Sequence, residues 1–295
     1  METPLRAACL VALLGSALVA CAPAPAPQVG SGPPIWAVRD ADSQVLMVGA
    51  VHALPPDVRW RSPWLEEALA RAELVVFEVM PASDVIGAGA EWDAAGAAGR
   101  LPEGRRLADV VGEALWTRVA AAAPYAGLGA VELERVEPWL ASAMLDGGWA
   151  RRGGYRADLG LEAWVRGRIG SRVEVVALDA VGYEALAGLS PAAQRQMLER
   201  SVRTIESRAD PAALDRAWAR GDVAALAAET ARMRDEAPDL YEELVADRTR
   251  RWAPTVAALV ERRGVSVVVV GAGHMVGPDG LPALLRARGL EVEAP

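Results

Sequence analysis

Two runs of β-branched, apolar residues near opposite ends of the chain constrain its fold more than any other feature. The first is 45–48 (VLMV) and the second is 265–270 (VSVVVV), and each leads directly into a Gly-x-x-His element. A short apolar run that ends at glycine is typical of a buried strand that opens into a loop. Neither end has enough strands to form a sheet alone. The sequence therefore predicts that both ends pair in one sheet.

The two Gly-x-x-His elements contain the only histidines of the chain, His52 and His274. Ligand sites of open α/β sheets form at the carboxyl ends of the strands, where both histidines are placed by this pattern. Imidazole is the side chain best suited to metal binding or proton transfer near neutral pH. A lone histidine after a strand is often only a hydrogen-bonded loop residue, but two in matching positions favour one shared site.

The remaining pattern predicts an α/β (α+β) fold. Its central mixed β-sheet is formed by N- and C-terminal segments, and a large, mostly helical middle region runs from about 84 to 264. Runs 35–38 and 45–48 flank an Asp-rich turn and predict a hairpin. The net charge is −8 and arginines are spread along helices, which argues against nucleic acid as a partner.

The amino-terminal residues predict export and a lipid anchor. Residues 1–20 have the pattern of a lipoprotein signal peptide, because the apolar stretch is too short to span a bilayer and ends in small residues. The sequence Leu18-Val19-Ala20-Cys21 resembles a bacterial lipobox, and 21–33 form a Pro/Ala-rich tether. We expect a single domain over 34–295, in a cell-envelope lipoprotein anchored to the membrane through Cys21. The alternative is a plain cleaved signal with an incidental cysteine.

Three polar residues at predicted strand ends could hold a metal ion: His52, Glu78 and His274. Cysteine occurs only at Cys9 and Cys21, so a site in the exported domain has nitrogen and oxygen ligands. Two imidazoles and a carboxylate are a minimal set for a catalytic divalent metal, with Mn, Co, Fe or Zn all possible. Such an ion supports hydrolysis. Glu78 could instead be the general base, with another carboxylate, such as that of Glu162, as third ligand.

Three segments carry a resemblance to a known family. They are 48–55 (VGAVHALP), 74–78 (LVVFE) and 269–289 (VVGAGHMVGPDGLPALLRARG). Together they resemble the TraB/GumN family, which includes Tiki and pheromone-shutdown proteins, and the likeness extends from about Pro34 to Val292. It implies a metal-dependent peptidase or related hydrolase with His52, Glu78 and His274 at the site positions.

The resemblance also places other residues near the site. Arg248 falls where the family has an Arg-Asn pair, but here Thr249 follows it. Glu162 stands in a Gly-x-Asp element, with Glu for Asp, and Asp179 replaces a glutamate that closes the central strand. These departures leave the implied metal ligands intact, with Glu78 and Arg248 as the catalytic candidates.

The substrate remains open between a peptide and a small molecule, and the sequence does not predict an oligomeric state. The alternative to an enzyme is a non-catalytic cell-envelope lipoprotein that binds a peptide or small ligand in the same cleft. Metal content and turnover would distinguish the two.

Overall fold

The computed structural model describes residues 32–80, 85–179, 182–208 and 210–295. The predicted signal peptide, Cys21 and most of the tether lie outside these ranges. The six strands are β1 (Ile35–Arg39), β2 (Ser43–Ala50), β3 (Ala72–Val79), β4 (Glu174–Asp179), β5 (Gly264–Gly271) and β6 (Val292–Glu293).

The strands form one mixed sheet in the order β4-β3-β5-β2-β1-β6. Strands β4, β3, β5 and β2 run parallel to one another, whereas β1 pairs antiparallel with both β2 and β6. The β1–β2 hairpin is present as predicted. Strand β5 from the carboxyl end lies between β2 and β3, so the predicted α/β class and the pairing of both ends are confirmed.

Helices account for most of the middle region, as predicted. They are α1 (Pro63–Arg71), α2 (Val85–Ala98), α3 (Leu107–Val111), α4 (Glu113–Ala122), α5 (Ala130–Leu133), α6 (Pro138–Arg152), α7 (Leu161–Arg166), α8 (Gly182–Ala187), α9 (Pro191–Ser207), α10 (Ala213–Ala219), α11 (Val223–Glu236), α12 (Pro238–Tyr241), α13 (Asp247–Ala258) and α14 (Leu281–Arg286). A π-helical turn, Glu242–Ala246, joins α12 to α13. In the described ranges, no helix combines the length and apolar character that crossing a membrane requires.

Serine followed by proline begins two helices. The Ser62 hydroxyl accepts a hydrogen bond from the Leu65 backbone N–H at the start of α1, and Ser190 caps α9 in the same way. These caps satisfy backbone donors that a helix leaves unpaired, while proline needs no donor at the first position. Asp210-Pro211 behaves differently because the Asp210 carboxylate accepts from Ala212 N–H, and α10 begins only at Ala213.

The two largest hydrophobic clusters of the described residues stabilise the sheet and the helical middle region. The larger surrounds the sheet, where every residue from Val265 to Val270 is buried, as expected for a parallel strand covered on both faces. The second lies within the helical middle region and includes Leu145 of α6 and Leu198 of α9. The sheet therefore fixes one edge for a site, and the middle helices pack around a separate core.

Candidate functional site

The parallel register brings the two Gly-x-x-His loops to the same edge of the sheet. Ala50 pairs with Gly271 at the carboxyl ends of β2 and β5, and Val79 pairs with Asp179 at the ends of β3 and β4. His52 and His274 follow the first pair directly in the sequence. Four parallel strands thus present their carboxyl ends together, which is the usual position of a ligand site in such sheets.

His274 is buried, and its hydrogen bonds define its tautomer. Its Nδ1 atom lies 2.7 Å from the Thr249 hydroxyl, and that hydroxyl donates to the Val245 carbonyl at 2.5 Å. Because a hydroxyl has one proton, Thr249 must accept from His274. We therefore assign the imidazole proton to Nδ1, which leaves a lone pair on Nε2.

The surroundings of His274 keep it neutral. Burial lowers the pKa of His274 to about 4, and the positive charge of Arg248 acts in the same direction against the opposing effect of Glu78. The Trp252 ring packs against the imidazole with ring centroids 4.6 Å apart. A neutral, fixed ring with its Nε2 lone pair available is suited to binding a cation.

Glu78 is the carboxylate nearest to His274. Its Oε2 atom accepts from Gly271 N–H at 2.8 Å and lies 3.9 Å from His274 Nε2, and its Oε1 atom is 2.8 Å from Arg248. Burial alone would raise the pKa of Glu78, but His274, Arg248 and the Gly271 N–H together lower it. Glu78 is therefore ionised at neutral pH and held in one position.

Arg248 joins two strand ends. Its guanidinium also pairs with Asp179 at 2.8 Å, and Asp179 accepts from the Trp252 indole N–H at 3.1 Å. The Arg248 side chain is only 7% exposed and lies against the Trp252 ring. A buried cation between two carboxylates is well compensated, whereas removal of one partner would leave an uncompensated charge.

His52 interacts with Glu162 rather than with Glu78. Its Nδ1 atom lies 2.5 Å from Glu162 Oε1, and this bond raises the pKa of His52 to about 9. The His52 side chain is 78% exposed, so solvent screens the charge of the Glu162 carboxylate. Among the described contacts, the buried Oε2 atom of Glu162 has no hydrogen-bond partner.

A close backbone contact places Glu162 beside His52. Gly160 precedes α7, and a β-carbon at this position would overlap the His52 carbonyl oxygen. The Leu161 N–H donates to the Val51 carbonyl at 3.1 Å. Only glycine allows this approach, which brings α7 against the first histidine loop.

The predicted residues fall into two groups. Glu78, Arg248 and His274 contact one another, while His52 and Glu162 form a pair at the same edge of the sheet. Within the part of the chain that the structure describes, no three or more His, Cys, Asp or Glu side chains are close enough to hold a metal ion.

Sequence reasoning missed the contacts made by Thr249, Asp179 and Trp252. The sequence marks Thr249 and Asp179 only as departures from the family pattern. Trp252 lies four residues after Arg248, and this spacing places both on one helix face. The helical spacing was the signal that could have found Trp252 beside the site.

The fold and site define a class: an α/β protein with a polar centre at the carboxyl edge of its parallel strands. A sequence profile of the TraB/PrgY/gumN family matches residues 34–294, nearly the whole chain, and the chain belongs to this family. No curated protein and no solved structure gives a match.

Proposed function

We propose that this protein is a metal-dependent hydrolase of the peptidase type, in which His52, Glu78 and His274 hold a divalent ion. The hydrogen bonding of the two imidazoles carries the proposal. The Nδ1 atom of each ring is hydrogen-bonded to an oxygen. For His52 this oxygen belongs to Glu162, and for His274 it belongs to Thr249. Metal-binding histidines usually have such an outer partner, which orients the ring and leaves Nε2 for the metal.

The Glu78–His274 pair supports a cation between its donor atoms. The carboxylate oxygen and the Nε2 lone pair face each other at 3.9 Å. Donor atoms that share an ion at bond lengths near 2.1 Å lie roughly 3–4 Å apart, so this spacing fits two ligands. Nitrogen and oxygen donors are compatible with Mn, Co, Fe or Zn.

His52 is the proposed third ligand. In the described chain its side chain is too far from Glu78 and His274 for all three to bind one ion, so the His52 ring has to move when the metal binds. Its exposed ring is not fixed by core packing, and Glu162 holds only its Nδ1 atom. This assignment makes Glu162 a positioning residue for His52 rather than a ligand. The buried Oε2 atom of Glu162 has no hydrogen-bond partner in the described chain, so it can accept from a water molecule or bind a further cation.

The ion would supply a water of lowered pKa and a polarised substrate carbonyl. The residues of the chain then have distinct tasks. Glu78 is held by Arg248 and Gly271 N–H, which suits a fixed ligand better than a mobile base. Arg248 is a positioning residue that keeps Glu78 ionised and in place. Peptides are the proposed substrate class because of the family resemblance, with other small molecules as the alternative.

The proposal is tested by metal content and peptidase activity of the purified protein. We expect His52→Ala and His274→Ala each to lose bound metal and activity while remaining folded. Glu78→Gln should likewise lose bound metal and activity. Its control is Glu174→Gln, at the amino-terminal end of β4, which should keep both. Full metal content in both histidine variants would contradict the shared site. Metal binding without turnover of any peptide would favour the non-catalytic binding protein.

The cell-envelope location is a separate part of the proposal. It rests on the lipobox-like sequence before Cys21 and on the Pro/Ala-rich tether that follows. Cys21→Ser is expected to move the protein from the membrane fraction to the soluble fraction. An unchanged distribution would contradict a lipid anchor at this residue.

A further inference from the structure

A groove lies between α9 and the segments α6, α11 and α12, and its residues are not those of the sheet-edge site. It has an inner part of about 190 Å³ and an outer part of about 450 Å³, and both parts are lined by Arg200 and Thr204. The inner volume is below the roughly 300–1,000 Å³ of drug-sized sites, whereas the outer volume is within this range. We call this feature the α9 groove.

The inner part of the α9 groove combines one carboxylate with apolar walls. Asp146 lines it together with Met197, Met233 and Leu240. The Ser201 hydroxyl donates to Asp146 Oδ2 at 2.9 Å. Asp146 remains accessible to solvent, so it can receive a further donor from a ligand.

A buried serine pair fixes this carboxylate. The hydroxyl oxygens of Ser142 and Ser201 are 2.7 Å apart. Since Ser201 donates to an ionised Asp146, Ser142 must donate to Ser201. The acceptor at the inner end is therefore pre-oriented by a chain of hydrogen bonds from α6 to α9.

The outer part carries three arginines, one of which has unused hydrogen-bonding capacity. Arg200 and Arg232 both pair with Glu229. Arg203 has only long ion pairs, at 3.9 Å to Glu199 and 3.8 Å to Glu236. Its buried Nη2 atom has no hydrogen-bond partner in the described chain. A buried donor in this state is costly unless a water or an anion satisfies it.

We propose that the α9 groove binds a short zwitterionic peptide whose first side chain is apolar. Asp146 would accept from the terminal ammonium, and Met197 and Met233 would contact the first side chain. Arg200 and Arg203 would bind the terminal carboxylate. Flexible methionines suit apolar side chains of differing shape, and arginine suits a carboxylate.

The charge distribution agrees with this orientation. Desolvation by the surrounding protein raises the pKa of Asp146 to about 6, although the residue keeps access to solvent. An adjacent ammonium would favour the ionised form. Two carboxylates, Glu206 and Glu236, also line the outer part. Glu206 is neutralised by Arg118 at 2.7 Å, and Glu236 lies beside Arg203. Arg200 and Arg232 share the single carboxylate of Glu229, so an incoming carboxylate meets two arginines whose charge is only partly balanced.

The test is calorimetric titration of the full-length protein with the dipeptide leucylglycine. We expect one saturable site. Acetylation of the amino group and amidation of the carboxyl group should each weaken binding by about tenfold or more, because each removes one charged contact. Equal affinity of the blocked and free peptides would overturn the proposal, as would the absence of saturable binding at millimolar concentration.

Substitutions inside and outside the α9 groove test whether leucylglycine binds there. Asp146→Asn and Arg203→Gln should each weaken binding by about tenfold or more. The controls Asp235→Asn and Arg234→Gln, which remove like charges from α11 outside the groove, should leave binding within about twofold. Unchanged affinity in both groove variants would overturn the proposal.

His52→Ala and His274→Ala separate this site from the proposed hydrolase. Both should retain leucylglycine binding, since neither residue lines the α9 groove. Loss of binding in these variants would place the peptide at the sheet edge and overturn the inference. The titration is done on metal-free protein, which lacks the ion that the proposed hydrolase needs, so binding is measured without turnover. A metal-loaded protein that hydrolyses no peptide but still binds leucylglycine in the groove would therefore reject only the hydrolase.

Discussion

Thr249 orients His274. The Thr249 hydroxyl donates to the Val245 carbonyl within the helical segment and accepts from the Nδ1 atom of His274, with oxygen–nitrogen separation of 2.7 Å. The helix that follows the π-helical turn thereby determines which imidazole nitrogen faces Glu78. This threonine occupies the position at which the family resemblance implies asparagine, and it provides the oxygen acceptor that the imidazole needs.

Thr249→Val should disturb the orientation of the His274 ring while the fold is retained. Valine has nearly the same shape but removes the hydroxyl that accepts from the buried Nδ1–H and leaves only the Val245 carbonyl beside the ring. We expect a cost of about 1–3 kcal/mol in the free energy of unfolding. We expect metal affinity to fall by about 10–100-fold, as for loss of an outer partner of a metal-bound histidine. Thermal unfolding and metal titration measure the two effects.

Thr249→Ser is the matched control for this prediction. Serine keeps the hydroxyl, so the Nδ1 tautomer of His274 should persist in ¹⁵N NMR spectra and metal affinity should stay close to that of the unaltered protein. If Thr249→Val keeps the same tautomer and the same metal affinity, Thr249 does not orient His274.

The sheet edge was predictable because its signals are local. Each β-branched run indicates a buried strand, and each following Gly-x-x-His element places a histidine just beyond the end of that strand. The pairing of both ends in one sheet then follows from the shortage of strands at either end of the chain, whereas the parallel direction of β2 and β5 comes from the structure. Glu78 was found in the same way, since it closes an apolar run.

The partners of these residues were less predictable because they depend on packing between distant segments. His52 and Glu162 are 110 positions apart, and they meet because Gly160 permits a backbone contact with the first histidine loop. The sequence marked the middle region as helical but not which helix faces line the α9 groove. Amphipathic patterns indicate that a face is buried, not which helix covers it.

Gly160→Ala should disrupt the contact between α7 and the first histidine loop. The added β-carbon would overlap the His52 carbonyl oxygen, which is backbone and cannot move aside cheaply. We expect a loss of about 1–3 kcal/mol in the free energy of unfolding. Gly170→Ala is the control, because a β-carbon there has nothing within 4 Å. Equal denaturation midpoints for both variants would contradict the close approach.

Glu162→Gln should lower the pKa of His52. The hydrogen bond and the charge of Glu162 raise this pKa from 6.5 to about 9, and glutamine removes the charge. NMR titration of the two histidine signals, assigned with His274→Ala, should show the His52 midpoint moving towards 6.5. Glu73→Gln, at the other end of β3, should not move it. A midpoint that stays unchanged in Glu162→Gln would show that this carboxylate does not control His52.

Metal affinity should increase with pH, with a slope that identifies the ligands. His52 has a pKa raised to about 9 and is protonated at pH 7, whereas His274 has a pKa lowered to about 4 and is already neutral. Binding therefore displaces one proton, and the logarithm of the affinity should rise by about one per pH unit between pH 6 and 8.

Calorimetry in buffers of different ionisation enthalpy measures this proton release directly. Glu162→Gln should reduce the slope above pH 7, because it brings the pKa of His52 down towards 6.5 and the ring is then already largely neutral above pH 7. A slope near zero in the unaltered protein would exclude His52 as a ligand. A slope near two would mean that His274 is also protonated, contrary to its burial and to its hydrogen bond with Thr249.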